Sequence, residues 1–289
     1  MKKISIIGAG RLGTCLGKAL FRAGYSISSL TANTLQEAEE SSRIIGQGKP
    51  GTDNIHAAEM GEIILLTVPD DLIEKTAKEL SKAALSWKDK QVFHCSGLHS
   101  SHILKPLEEL GAETASFHPI QTFSSKKSEP GLFNNIYVSL EGNQRAQKTA
   151  EDMIMRIGGR FFSIRAEDKP LYHSACSIAS NLMVILLDAA VELLKHTGKN
   201  EKESFEMLFP LIKRTLQNVK EFSISQALTG PVKRGDIDTI SHQLRSLSVL
   251  PEIRSIYIQL TSRALDLVEK ESGLSSQRIR KLRDLLEEK

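Results

Sequence analysis

The residues Gly8-Ala9-Gly10-Arg11-Leu12-Gly13 have the types and spacing of a phosphate cradle. The first glycine permits a sharp turn out of a strand, the second brings backbone N–H groups close to a pyrophosphate, and the third lets the next helix pack against the strand. A helix N-terminus at that point adds its partial positive charge. Further along, three groups of polar residues are suited to moving protons or holding anions. His118 lies in Ser116-Phe117-His118-Pro119-Ile120-Gln121-Thr122-Phe123, where the proline restricts the backbone before it. It is read either as a substrate or cofactor contact or as a loop histidine without chemistry. His173, Ser177 and Asn181 recur at intervals of four, which places them on one helical face. An imidazole donates a proton near neutrality and an amide beside it orients a carbonyl or imine. The plainer reading is a set of polar groups satisfied at a domain interface. In Thr229-Gly230-Pro231-Val232-Lys233-Arg234-Gly235-Asp236, Gly-Pro breaks a helix and Asp236 is suited to cap the next, on which His242 falls. Arg234 is then free to hold a carboxylate or phosphate.

These groups need a scaffold, and the first half of the chain alternates strand and helix patterns. Strands are expected at 2–7, 26–30, 62–68, 91–95, 113–117, 135–140 and 160–164, and helices at 14–23, 70–84, 100–111 and 144–157. The run Glu62 to Val68 is almost continuously apolar and is closed by Pro69, as in a parallel strand buried on both faces. The alternation predicts an α/β fold, a Rossmann-type doubly wound parallel sheet with ligands at the carboxyl ends of its strands. Thr67, Val68, Pro69, Ser96 and Gly97 leave strands at that edge and are expected beside the nicotinamide half of a cofactor. From about residue 166 only helical periodicity remains, over 170–195, 202–228, 237–246, 251–271 and 275–287. Residues 1–165 are therefore read as a dinucleotide-binding domain and 166–289 as an all-helical domain. Lys169, directly before Pro170, is read as lying outside the first helix.

An NAD site places an acidic residue at the end of the second strand, where it binds the ribose 2′-hydroxyl. Here that strand runs into Thr31-Ala32-Asn33-Thr34, and the first carboxylate is Glu37. Small hydroxyl and amide groups at Thr31 and Asn33 favour NADP. Arg11 is placed to reach the 2′-phosphate, or else is a solvated residue of the first helical turn.

Composition narrows the class. With 40% hydrophobic and 25% charged residues and a formal net charge of +3, the chain is ordinary for a globular protein. No basic cluster is interleaved with aromatics, and the basic run at 278–283 reads as a solvated helix face, so nucleic acid is not an expected partner. Cys15, Cys95 and Cys176 are odd in number and far apart, which points to a reducing compartment and to neither a disulfide framework nor a metal site. Arg11 interrupts the first apolar run too soon for a signal peptide. The apolar stretch 177–194 contains Ser180, Asn181, Asp188 and Glu192 and is read as a buried helix, with no membrane role. A cytoplasmic location is expected.

The chain resembles a group of Rossmann-like proteins assigned as NADP oxidoreductases, within the 6-phosphogluconate dehydrogenase-like superfamily, whose C-terminal helical domain is of unknown function. The resemblance is carried in order by Ile6 to Gly13, Val68 to Asp71, His94 to Gly97, Ser116 to Phe123, Tyr172 to Asn181 and Leu228 to Asp236. The architecture is also similar to that of pyrroline-5-carboxylate reductase and ketopantoate reductase. The resemblance implies NADPH as cofactor and a substrate cleft between the two domains. That cleft would be bounded by the 116–123 loop, the His173 to Asn181 face and the Thr229 to Asp236 turn. It implies His173 as proton donor, Asn181 as carbonyl or imine orienter and His118 as a second acid, with Ser177, Thr229, Arg234, Asp236 and His242 toward the substrate. It also implies a homodimer formed through the helical domain, with 251–271 as a candidate surface. The lysine-plus-asparagine motif of hydroxyacid dehydrogenases and the serine- and glycine-rich helix start of the pyrroline-5-carboxylate enzymes are both missing, so no relative's substrate carries over. Two functions remain at this point: hydride transfer to or from a C=O or C=N carbon of a small anionic metabolite, and a non-catalytic NADP-binding sensor or partner protein.

Overall fold

The computed structural model describes residues 2–127, 131–271 and 273–287. The chain divides into two compact units, Met1–Leu182 and Met183–Lys289. In the first unit the order is β1 (Lys3–Ile7), α1 (Arg11–Arg22), β2 (Ser26–Thr31), α2 (Leu35–Ile45), β3 (Lys49–Gly51), α3 (Asn54–Met60), β4 (Ile63–Leu66), α4 (Asp70–Ser81) and β5 (Gln91–His94). There follow α5 (Lys105–Glu108) after a 3₁₀ turn, β6 (Glu113–Pro119), β7 (Tyr137–Gly142), α6 (Gln144–Arg156), β8 (Arg160–Ser163) and α7 (Lys169–Ala179).

The eight strands form one sheet in the order β3-β2-β1-β4-β5-β6-β7-β8. β4 is buried at all four positions and shows why the apolar run could be read so directly. Strand order reverses between β1 and β4, and such a switch point opens a crevice at the carboxyl ends of the strands. Both faces are covered. One core contains Leu16 and Leu20 of α1 and Ala150, Met153 and Ile154 of α6, and the other contains Ile73, Ala77 and Leu80 of α4 with Trp87.

The sheet departs from the expected all-parallel arrangement at one pair, since β6 and β7 run antiparallel. No helical crossover intervenes between them among the described residues, and without one a chain returns antiparallel. The sequence pattern also passed over α2, β3 and α3. β3 is a three-residue strand containing Pro50. α2 is rich in glutamate and serine, and its start is set by a capping box in which Thr34 and Glu37 bond each other's backbone N–H.

Two corrections concern the helix expected over 170–195. Lys169 lies inside α7, with helical angles of φ −57° and ψ −42°. Proline is tolerated in a first turn because its missing N–H has no helical partner there, so the bias against helix before proline is overridden. The run then breaks at Ser180 (φ −126°, ψ −79°), and α8 (Asn181–Lys195) begins at the next residue. Serine and asparagine side chains compete with the helical hydrogen-bond ladder, which suits them to such a junction. The face expected to run from His173 through Asn181 is thus interrupted.

The second unit continues with α9 (Glu201–Glu221), α10 (Ile224–Ala227), α11 (Pro231–Arg234), α12 (Ile237–Ser246), α13 (Pro251–Lys270) and α14 (Ser276–Glu287). The helix expected over 202–228 is divided because Ser223 caps α10 through a capping box with Gln226. Ile240 and Leu244 of α12, Leu265 of α13, and Leu282 and Leu286 of α14 form the core of this unit. One segment, Ala166–Lys195, contains an 18-residue stretch of mean hydropathy 1.8, long and apolar enough to cross a membrane by length and composition; only 11% of that stretch is buried, so the buried helix expected over 177–194 is instead largely exposed.

Candidate active site

The glycine loop has the conformation expected of it. Gly8 adopts φ +90°, and a Cβ there would meet Val68 and the Thr67 backbone at 2.7–3.0 Å. A Cβ on Gly13 would collide with Thr67, whose hydroxyl donates to the Gly8 carbonyl at 2.7 Å. Gly10 has nothing nearer than 3.9 Å to its missing Cβ, so space lies over the middle of the loop. Gly10 is the N-cap of α1, and no side chain caps this helix. Its first N–H groups therefore remain for an anion, which fits the pyrophosphate of a dinucleotide. Ala9 and Leu12 pack into or against the core below.

At the end of β2 the buried Thr31 hydroxyl donates to Asn54 Oδ1 at 2.7 Å, so it is already committed. Asn33 is exposed, and the Glu37 carboxylate is turned back onto Thr34 N at 3.2 Å. Arg11, the first residue of α1, is exposed. Neither Thr31 nor Asn33 is a carboxylate.

The carboxyl ends of β4, β5 and β6 converge on Lys169. Its side chain is completely buried, and Nζ donates to Ser116 Oγ at 2.7 Å and to the Ser96 carbonyl at 3.2 Å. Burial pushes its pKa down to about 8, against the opposing pull of the Glu141 and Asp70 carboxylates. Glu141 is itself held by Ser101, accepting from its backbone N at 2.6 Å and its hydroxyl at 2.7 Å. The Ser96 hydroxyl donates to Asp70 Oδ2 at 2.7 Å and accepts from the backbone N–H groups of Leu98 and His99. His94 Nδ1 accepts from Ser96 N at 3.2 Å, and burial pushes that imidazole down to about 3. The turn containing Ser96 and Gly97 is therefore held from several sides.

Gly97 is tightly enclosed. A Cβ placed on it would stand 2.5 Å from His173 Nδ1 and 2.9 Å from His118 Nε2. The two imidazoles lie edge to face, with centroids 5.8 Å apart, and both bring ring nitrogens against Gly97, where no side chain could be accommodated without moving a ring. His173 Nδ1 is buried without a hydrogen-bond partner. His118 Nδ1, by contrast, lies 2.6 Å from the Tyr172 hydroxyl. Burial first, and then the Lys169 charge, lowers the His118 pKa to about 4. His118 is thus neutral at physiological pH and is a poor proton donor. An unpartnered buried nitrogen beside a neutral imidazole is an arrangement that a ligand oxygen or nitrogen would satisfy.

Lys169 reaches the same place by helix geometry, because His173 follows it by one turn of α7. Ser177 lies one turn further on, while Asn181 is exposed at the start of α8. Sequence reasoning brought forward His118, His173, Ser96 and Gly97, which the structure brings together. It set Lys169 outside the helix and gave no role to Tyr172, Ser116 or Asp70. Tyr172 and Ser116 belong to motifs already singled out. Only the fold reveals that a lysine beside a proline is the buried centre.

In the second unit, Asp236 caps α12, accepting from Thr239 N at 3.1 Å and Thr239 Oγ1 at 2.8 Å. Arg234, the last residue of α11, is exposed, and its charge helps hold the Asp236 carboxyl below the usual range after the Thr239 hydrogen bonds. Thr229 and His242 are exposed, and His242 Nδ1 lies 3.3 Å from an Arg245 nitrogen.

A Rossmann sheet with an uncapped glycine loop, followed by a helical unit, defines the class of architecture. Residues 1–119 match the Rossmann-like domain, and residues 136–264 match the Domain of unknown function DUF2520. The chain therefore combines these two domains. No curated protein sequence matches it. Among solved structures it is similar to the "putative NADP oxidoreductase" BF3122 of Bacteroides fragilis, at 24% identity over 91% of this chain and 97% of that one, with a TM-score of 0.77. A Thermotoga maritima protein, TM1727, is 26% identical over 93% of this chain and 99% of its own, with a TM-score of 0.72. The pyrroline carboxylate reductase of Plasmodium falciparum, solved with NADP bound, shares 15% identity over 99% of both chains, with a TM-score of 0.59.

Proposed function

We propose that this protein is an NADP-dependent oxidoreductase that transfers hydride between the nicotinamide and a C=O or C=N carbon of a small, anionic metabolite. The observation that carries the proposal is the convergence of His118 Nε2 and His173 Nδ1 over Gly97, at the carboxyl end of β5. The bound cofactor supplies the hydride, and the protein's residues supply position and protons. The N–H groups at the start of α1 hold the pyrophosphate, with Arg11 and Asn33 toward the 2′-phosphate. His173 gives or takes the proton at Nδ1, while His118 hydrogen-bonds the same ligand atom without changing its charge. Lys169 holds the Ser96-Gly97 turn against α7 and so sets the spacing of these two groups. Asn181 orients the reacting group, and Arg234, exposed in the second unit, is suited to bind an anion.

The active form is a homodimer in the cytoplasm. On α8, Leu182, Val184, Ile185 and Leu186 are exposed, and of the 21 residues of α9 only Ser204 is buried. On α9, Phe205, Met207, Phe209 and Leu211 are exposed as well. Large apolar side chains exposed in this number suit an association site, and a second copy of the chain is the proposed partner. The proposed contact uses α8 and α9, beside the 251–271 surface expected from the sequence.

The test is hydride exchange between NADPH and a panel of keto acids and cyclic imines, run with the wild type and with His173→Gln. Turnover in the wild type and a loss of about 100-fold or more in His173→Gln, at unchanged NADPH affinity, is the expected result. Tight NADPH binding with no exchange across the panel would favour the sensor reading instead.

A further inference from the structure

We propose that Tyr172 is a positioning residue that holds His118 in the tautomer with its proton on Nε2, so that a fixed donor stands at Gly97 beside His173 Nδ1. The Tyr172 hydroxyl lies 2.6 Å from His118 Nδ1, and the two rings meet edge to face at 5.5 Å and 86°. Phe162 packs on the other ring at 5.9 Å and restrains it further. A phenol is the better donor of the two groups and an imidazole nitrogen the better acceptor, so the shared proton belongs to Tyr172 and points at Nδ1. Burial supports this by raising the tyrosine pKa and lowering that of the histidine, which leaves both groups neutral. A neutral imidazole that accepts at Nδ1 must carry its hydrogen on Nε2.

This deepens the oxidoreductase reading and rests on it for one consequence. A fixed donor on Nε2 suits a ligand atom with a free lone pair, as in a carbonyl or hydroxyl oxygen. A protonated imine nitrogen offers no lone pair to it. The geometry thus favours the C=O/C–OH pair over iminium substrates. The work is divided between consecutive residues of one helix: Tyr172 sets the donor on His118, and His173 carries the mobile proton.

The test is ¹⁵N NMR of the histidine rings of the full-length protein at pH 7, with the His118 signals assigned by their loss in His118→Gln. The wild type is expected to show a non-protonated Nδ1 and a protonated Nε2 at His118, and Tyr172→Phe is expected to shift that ring to a mixture of tautomers. A proton on Nδ1 in the wild type, or ring signals unchanged in a folded Tyr172→Phe, would overturn the proposal. If Tyr172→Phe fails to fold, the wild-type spectrum alone decides. Because the readout needs no substrate, an Nε2–H tautomer in a protein without hydride exchange would uphold Tyr172 and remove only the oxidoreductase reading.

Discussion

The ammonium of Lys169 is bound to the carbonyl of Ser96, one residue before Gly97, and so ties the first turn of α7 to the end of β5. One turn later on the same helix, His173 brings its Nδ1 to Gly97. A buried charge and a missing side chain together set the position of the candidate proton-transfer group.

Gly97→Ala tests the second half of that relationship. The added methyl would stand 2.5 Å from His173 Nδ1 and 2.8 Å from His118 Cε1. One ring must move, at a cost of roughly 1–3 kcal/mol in stability. Turnover is expected to fall by about tenfold or more, since displaced reacting groups lose rate steeply. Thermal denaturation and steady-state kinetics of the variant check both parts.

Lys169 predicts an alkaline gain in stability. Its folded pKa of about 8 lies below the ordinary lysine value of 10.5, so the unfolded chain binds the proton more tightly. Stability is therefore lowest below pH 8 and rises through the window between the two values, by about 2 kcal/mol from pH 8 to pH 10. Denaturant unfolding in that window should show the rise in the wild type and not in Lys169→Met. Equal slopes for the two proteins would mean that Lys169 is not buried as a titrating ammonium.

His118 and His94 predict the opposite limb. Both are held neutral by burial, at about 4 and about 3 against an ordinary 6.5. Unfolding exposes them to protonation, so stability should fall as pH drops from about 6.5 toward 4. The fall should be shallower in His118→Gln, measured by denaturant titration at pH 4.5 and pH 7.

Arg11→Ala separates the phosphate loop from the 2′-phosphate. Loss of a charge-assisted hydrogen bond should weaken NADPH about tenfold and leave NADH within about twofold. Nicotinamide fluorescence titration with each cofactor measures this. Equal losses for both would place Arg11 at the pyrophosphate.

For the association surface, Val184→Glu combined with Leu211→Glu places charge at positions 61% and 65% exposed, where folding of the chain has little stake. Light scattering should give a dimer of about 64 kDa for the wild type, twice 32.0 kDa, and a monomer for the double variant. A wild-type monomer at micromolar concentration would remove the dimer.

Local chemistry made the Rossmann half legible. Glycine spacing, a continuously apolar β4 and a helix opening at the loop are short-range patterns, and each is dictated by backbone sterics or by burial on both faces of a sheet. The residues around the candidate site were legible as types, because histidines, a Ser-Gly turn and a His-Pro pair are rare enough to notice. Their partnership was not. Lys169 and Ser116 are 53 positions apart, and His118 and Tyr172 are 54 apart, so no periodicity links them. Only the register of β4, β5 and β6 with the start of α7 brings them together. The antiparallel pairing of β7 with β6 and the burial of Lys169 were likewise decided by the tertiary structure, because contacts distant in sequence fix both. The sequence by itself determined a dinucleotide loop and the helices that follow. The folded sheet decided which nitrogens meet over Gly97, because proximity across that distance comes from packing and not from spacing along the chain.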